Sequence, residues 1–548
     1  MTTLIPKFEQ PFAGAVNLPI NQKLQQTINV LDFGADPTGA TDSTAAIQAA
    51  LTAAGSEGII YFPKGTFLLS ATLNALGNQQ LIGAGHNNTI FRRFTDYGNT
   101  LYFANAGGAN VSGIWFWHGI VPSDGATTLP DKVTTGSHIY VANCQTIVIE
   151  NCWFWRMVFQ INIAQGAGVR IRNCNLQGYW NTQYTATQEG VACIGLATSG
   201  YTQLIEINNN YFGGYPGGAQ SVIFTPNDGA PVTVNFAGTQ AGSQYGVLAY
   251  QCEGLLIKDN YFGGMTYNYV LISPNGIMSQ IRIEGNFFDG GSYFTPVINF
   301  QPSVSGNFAY NVVISDNTFT GGLNSYQSIG SSNPFSGSGL PTLAAYVISN
   351  NSIVNNLGSG IFLRDTWGGV ISDNQISSYN SRQIAHSSDV NYCSGIYVDS
   401  SVSVAINGNL LGGGINTAYP NGYSYLGIVA NVGNTNVTQK INVANGNGTT
   451  GLIKGRIDRI ITNISANYTM NGSEDLIIAT VTAGIQITAP SNVPPGYTFT
   501  VKDGGGNFAT YNSSVIGTVD GVVNKVMGTN YQSMTFAWNG TQWNVIGN

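Results

Sequence analysis

Ile205-Glu206-Ile207-Asn208-Asn209-Asn210-Tyr211-Phe212 is one copy of a short word, hydrophobic-x-hydrophobic-x-x-Asn-x-hydrophobic, and its recurrence decides how this chain folds. The word returns as Leu255/Ile257/Asn260/Phe262, Ile281/Ile283/Asn286/Phe288, Val312/Ile314/Asn317/Phe319, Tyr346/Ile348/Asn351/Ile353 and Val404/Ile406/Asn409/Leu411, with a weaker copy at Ile371/Asn374/Ile376. Two earlier copies place cysteine in the Asn slot, Ile147/Ile149/Cys152/Phe154 and Val169/Ile171/Cys174/Leu176. The steps between the nine slot residues are 22, 36, 50, 26, 31, 34, 23 and 35. A fixed word at an uneven period is the signature of a β-solenoid, because each coil needs the same inward residues while its surface loops vary in length. Alternation sends the two hydrophobics of each word inward and the residue between them outward, and an Asn repeated at one corner can bond to the Asn of the next coil. A sandwich of short strands would not repeat one word nine times.

Composition agrees with a turn-rich all-β protein. Among 548 residues, Gly accounts for 70, while Asp, Glu, Lys and Arg together make up 8%. The formal charge is −7 and no Lys/Arg cluster is present, which argues against a nucleic-acid partner. An acidic, aromatic-rich surface suits a neutral or mildly charged glycan. The six cysteines, at 144, 152, 174, 193, 252 and 393, have neither a CxxC pair nor zinc-like spacing and read as small buried hydrophobes. Histidines stand alone at 86, 118, 138 and 386, so no metal or cofactor is expected. No run approaches the length of a membrane span and the N-terminus lacks a basic-then-apolar signal, so neither membrane nor secretion is expected.

Residues 1–27 read as a lead-in. The segment that follows gives a strand, a Gly-rich turn and a helix with Ile47, Ala50, Leu51 and Ala54 on one face, capped by Asp42 or Thr41 and stopped by Gly55. Such a helix would close the open end of a solenoid. Asp32, Asp36 and Asp42 read as turn and cap residues. The β-helix is expected over 28–415, a polar link over 416–454 and a small C-terminal β-sandwich domain over 455–548, where short alternating strands are separated by Gly/Asn/Pro turns.

The run from Val30 to Leu69, with Asp32-Phe33-Gly34-Ala35, Gly39, Asp42, the Ala-rich helix and Pro63-Lys64-Gly65-Thr66-Phe67, resembles the pectate-lyase-like motif that opens many right-handed parallel β-helices. Following a PFAGAV-type lead-in, it is most similar to the tailspike proteins of bacteriophages. The resemblance implies an all-β, right-handed parallel β-helix assembled as a homotrimer on the virion, held by a phage tail or adaptor protein, that binds and cleaves bacterial capsular polysaccharide or exopolysaccharide. Because tailspikes usually carry a virion-binding domain ahead of this motif, a longer native chain is expected. The motif holds no active site, so it assigns no catalytic residue.

Candidates for chemistry come from the outward positions. The row between the ladder hydrophobics is Val148, Arg170, Glu206, Leu256, Arg282, Val313, Val347, Val370 and Ala405. Its apolar members would be an error on a solvated face and point to burial against neighbouring chains, with Glu206 and its arginines as an interface ion pair. The strand ten to twelve residues before the slot carries Tyr140, Tyr250, Arg364, Tyr397 and Asp399, aromatics among charges, and these with Trp367, and Trp180 in the 177–204 excursion, form the expected sugar groove. Glycoside hydrolysis needs two carboxyls. Asp365 and Asp399 fall on adjacent rungs and are the expected pair, acid with base or nucleophile, with Glu189 in reserve; a plain Arg364–Asp399 link between rungs is the competing reading. Endo-acting hydrolysis, polysaccharide lysis and recognition without cleavage all remain open at the level of sequence.

Overall fold

A computed structural model of the chain describes residues 7–8, 11, 13–24, 26–94, 98–118, 136–155, 157–178, 192–214, 220–224, 232–236, 245–265, 268–290, 295–320, 327–331, 340–354, 358–379, 394–413, 428–430, 437–440, 443–445, 453–454, 461–470, 474, 476–490, 493 and 496–547. The chain divides into two compact units, residues 1–437 with 443–452, and residues 438–442 with 453–548.

The first unit is a parallel β-helix of three sheets. Each coil contributes one strand to each, as in Tyr245–Ala249 (sheet I), Cys252–Lys258 (sheet II) and Tyr261–Gly263 (sheet III), and the next coil repeats them as Val270–Ile272, Met278–Glu284 and Phe287–Asp289. Leu255 sits beside Ile281, Ile257 beside Ile283 and Phe262 beside Phe288, so the repeated word is the parallel register itself. Among the described residues, sheet III alone has fourteen strands, from Thr38–Asp42 to Val443–Asn445. Inside it, Phe212, Phe262, Phe288 and Phe319 stack at centroid distances of 4.2, 5.0 and 4.7 Å, all fully buried.

The slot asparagines form the expected ladder. Asn210 Nδ2 donates to Asn260 Oδ1 (3.0 Å), Asn260 to Asn286 (3.0 Å), Asn286 to Asn317 (3.0 Å), Asn317 to Asn351 (3.0 Å), Asn351 to Asn374 (2.9 Å) and Asn374 to Asn409 (2.9 Å). Each Oδ1 also accepts the backbone N–H of the preceding slot residue, including Cys174 N–H at 2.9 Å from Asn210. These buried amides are thereby satisfied on both sides, which is what an interior polar group requires. The residue before each slot has a positive φ: Asn209 54°, Asp259 53°, Gly285 65°, Asp316 58°, Asn350 56° and Asp373 57°. Asn, Asp and Gly tolerate this left-handed corner best, which explains Asp259, Asp316 and Asp373 as corner residues.

At the N-terminal end, helix Thr44–Ala54 buries Ile47, Ala50 and Leu51. Its cap residue is Ser43 rather than Asp42 or Thr41, and Ser43 makes no side-chain capping bond. Asp42 instead accepts Thr44 N–H (3.0 Å) and Ser70 N–H (3.3 Å), tying the helix start to the next strand. Asp36 gathers N–H bonds from Thr38, Ala40 and Thr41.

The span expected as a polar link departs from that reading. Strands Ile428–Ala430 and Val443–Asn445 continue sheets I and III, each pairing in parallel with the preceding coil. The sequence around these strands is rich in Asn, Gly and Thr and carries no copy of the word, so the repeat does not stand out there. In the second unit, nine strands form one mixed sheet over a core that includes Ile477, Ile487, Phe499, Phe536 and Trp543. Asp503, buried at its turn, accepts N–H bonds from Gly505, Gly506, Phe508 and Tyr531.

Candidate functional site

Two outward faces of the β-helix carry side chains suited to a sugar polymer. The first is the end of sheet I. Arg364 lies directly beside Asp399 on the neighbouring strand, and its Nε stands 3.2 Å from Asp399 Oδ2. Asp365 occupies the corner after this strand with φ 54°, level with Ser400 (φ 48°), and its N–H donates to the Asp399 carbonyl at 3.1 Å. The two carboxyl-bearing residues thus belong to adjacent coils but one register step apart. Phe362 and Tyr397 stack in parallel at 4.8 Å, and the Arg364 guanidinium lies 5.8 Å from the Phe362 ring. Tyr397 is 1% exposed, so it braces this cluster from beneath instead of offering a face to solvent.

The other residues expected in this groove lie elsewhere. Trp367, 40% exposed, belongs to sheet II, around the corner from Arg364 and level with Ala344 and Val402. Tyr250 is four strands away along sheet I, roughly 19 Å at the usual strand spacing, and burial raises its hydroxyl pKa. Tyr140 stacks on Tyr102 at 5.6 Å and is seven strands from Phe362, roughly 34 Å. Glu189 and Trp180 lie outside the described residues. The outward row of sheet II has the register read from sequence, from Val148 beside Arg170 to Val370 beside Ala405, with Val347 and Val370 each 37% exposed and Arg170 Nε 3.4 Å from Glu206.

The second face was missed in the sequence reading. The residue after each slot points outward on sheet III, and the column runs Trp115, Trp153, Asn175, Tyr211, Tyr261, Phe287. Trp115 and Trp153 stack at 4.8 Å (15°), Tyr211 and Tyr261 at 4.9 Å (2°), Tyr261 and Phe287 at 5.6 Å (13°). Parallel rings this close cannot lie side by side, so their faces look along the solenoid axis and their edges outward. Two residues on, a second column carries Arg92, Trp117, Trp155, Gln177, Gly213, Gly263 and Asp289. The Arg92 guanidinium sits 4.8 Å over the Trp117 ring, a cation–π contact. Gly213 leaves room for the Tyr211 ring, since a Cβ there would come to 2.5 Å of it and push the ring aside. Tyr261 donates its hydroxyl to Asp289 Oδ2 at 2.5 Å; burial first, and then this carboxylate, hold the phenol proton well above its ordinary range. Arg92 Nε, the Trp115 and Trp153 indole nitrogens and Asn175 Oδ1 are buried with no hydrogen-bond partner, a concentration of unmet polar atoms in one place. The signal was present in the sequence as aromatics directly after the slot, at Trp153, Tyr211, Tyr261 and Phe287.

Among known proteins, residues 27–247 match the family described as rhamnogalacturonase A/epimerase, pectate lyase-like. Sixty residues are 45% identical to the uncharacterized protein YclG of Bacillus subtilis (strain 168), covering 11% of this chain and about a tenth of that protein's length, 10%. Among solved structures, the tailspike of E. coli bacteriophage HK620 in complex with pentasaccharide has a TM-score of 0.49 at 13% identity, covering 93% of this chain and 84% of that one. Tailspike protein 3 of bacteriophage CBA120 has a TM-score of 0.48 at 11% identity, covering 98% and 73%. The catalytic unit of a GH87 α-1,3-glucanase from Streptomyces thermodiastaticus has a TM-score of 0.45 at 13% identity, covering 78% and 69%.

Proposed function

We propose that this chain is a phage tailspike that binds a bacterial capsular polysaccharide or exopolysaccharide and depolymerises it by endo-glycosidic hydrolysis. The observation that carries the reading is the outward aromatic column of sheet III, rigidly spaced by the strands and bearing unpartnered donors and an acceptor, which from Trp115 to Tyr211 falls within a span that matches a pectate-lyase-like family. The opening motif from Val30 to Leu69 supports the tailspike assignment. Aromatic surface with a few convergent polar groups is the usual make-up of a site for a sugar.

The catalytic pair in this reading is Asp365 and Asp399, with Glu189 in reserve. An acid delivers a proton to the leaving oxygen, and its partner either attacks the anomeric carbon or activates water, depending on carboxyl separation. Arg364, whose Nε stands 3.2 Å from Asp399 Oδ2, would orient that carboxylate for the second role. The chain acts as a homotrimer through the apolar row of sheet II, on a virion at the cell surface, attached through a phage tail or adaptor protein, with neither nucleic acid nor membrane as partner and no cofactor.

The Arg364–Asp399 ion pair also favours a second reading, a spike that recognises its polymer without cleaving it. Incubation with purified capsular polysaccharides and exopolysaccharides decides. New reducing ends without unsaturated-uronate absorbance support hydrolysis; new ends with it mean a lyase; binding with neither means recognition alone.

A further inference from the structure

The aromatic column of sheet III is interrupted at a single rung, and the interruption has the dimensions of a ring. Trp153 and Tyr211 stand two strands apart, with Asn175 between them. Their ring planes are therefore separated by roughly 9.6 Å, twice the strand spacing. Elsewhere in the column one ring follows another at 4.8, 4.9 or 5.6 Å. The same rung is also non-aromatic on the inner side of the sheet, where Leu176 stands between Phe154 and Phe212; there the aliphatic side chain fills the space and is fully buried. Outside, among the described residues, no ring stacks on Trp153 or Tyr211 across the short Asn175. The polar atoms around that place are those lacking partners: the Trp153 indole nitrogen, the Trp115 indole nitrogen and Asn175 Oδ1. Tyr211 is 42% exposed, and Trp153 and Asn175 are half-buried.

We propose that the Asn175 break is a subsite for one pyranose ring of the bound glycan, an inference that rests on the glycan-binding reading above and locates it. A pyranose presents C–H groups on its faces, which are attracted to the electron-rich faces of aromatic rings. Inserted between Trp153 and Tyr211 it continues the stack, and its ring-edge hydroxyls supply a donor for Asn175 Oδ1 and acceptors for the indole N–H groups. A sugar accounts for both kinds of unmet group at once, whereas an aromatic side chain from a second copy would satisfy the faces and leave the polar atoms as they are.

The test fills the space. Asn175→Phe completes the aromatic column and competes with the sugar, while Asn175→Ala keeps the space open. On an array of purified bacterial capsular, exo- and O-antigen polysaccharides, Asn175→Ala should hold the same polymers as wild type, weakened only by the lost Oδ1 contact, and Asn175→Phe should bind them more weakly still, about tenfold below wild type or worse, at unchanged thermal stability. Equal affinity of Asn175→Phe and wild type overturns the subsite and leaves the glycan-binding reading standing. Wild type that binds no polysaccharide overturns both. Should Asn175→Phe not fold, Tyr211→Ala, at an exposed position, decides: a comparable loss of affinity supports the subsite and an unchanged affinity overturns it.

Discussion

Two ladders climb this β-helix on the same strand spacing, and they differ in what is left over. In the slot ladder, each amide from Asn210 to Asn374 donates to the next and to a main-chain carbonyl, each oxygen from Asn260 to Asn409 takes two N–H groups, and all of it is buried. In the outward ladder of sheet III, rings stack as regularly, yet indole nitrogens, a guanidinium nitrogen and an amide oxygen have no partner. A closed set of interactions holds a fold; an open set on a rigid surface is where a ligand contributes the missing half.

The largest effects should come from breaking the closed ladder. Asn286→Leu strips Asn260 of the acceptor for both its backbone and its side-chain N–H, leaving two buried donors at about 1–3 kcal/mol each. Urea unfolding should report a loss of about 2–6 kcal/mol, against under about 0.5 kcal/mol for Tyr211→Ala at an exposed position; equal losses would erase the distinction between the ladders. Next come the proposed catalytic groups. Asp399→Asn and Asp365→Asn, made separately, should each lower cleavage by about 10²–10⁴-fold while polysaccharide retention is unchanged, and full activity in both moves the test to Glu189→Gln.

A smaller effect sharpens the open ladder. Trp153→Ala removes a stacked partner of Trp115 and one wall of the Asn175 break, and should weaken glycan retention about tenfold with only a modest shift in melting. The second unit offers a closed polar group of its own. Burial opposes the charge of Asp503, but N–H bonds from Phe508, Tyr531, Asn507 and Gly505 outweigh it and hold the carboxyl below its ordinary range. A group depressed on folding stabilises fully above the unfolded carboxylate range, near pH 3.9, and that contribution is lost as pH falls through the folded value. Fluorescence of Trp538 and Trp543 should therefore show acid destabilisation that is flatter in Asp503→Asn, a variant already less stable at neutral pH. The smallest change is expected at Arg170–Glu206, half-exposed on both sides, where Glu206→Gln should cost less than about 1 kcal/mol by urea unfolding.

The repeat was legible because inward positions are fixed by burial. Ile205, Ile207, Asn210 and Phe212 recur in type, and the structure gives them the register their spacing implied. The strands Ile428–Ala430 and Val443–Asn445 were hidden because the sequence around them is polar and carries no copy of the word. The candidate site was harder to read, since outward residues obey no repeat. Counting back from the slot placed Arg364 beside Asp399 correctly, but Asp365 is itself the corner and so is out of step, and that same corner carries Trp367 onto sheet II. Tyr397 shows the limit of alternation as a guide, because an outward position on a solenoid can still be covered. The aromatic column one residue past the slot was visible as a pattern, but its meaning depends on the ring planes and on Asn175 being its break, which only coordinates supply.

The most direct test of the account is a crystal structure of the Asp399→Asn variant soaked with an oligosaccharide released by wild type from the polymer it cleaves. The account predicts sugar rings along the outward edge of sheet III, with one pyranose between Trp153 and Tyr211 over Asn175. Sugar bound only on sheet II or on the C-terminal unit, with the sheet III column bare, would contradict it.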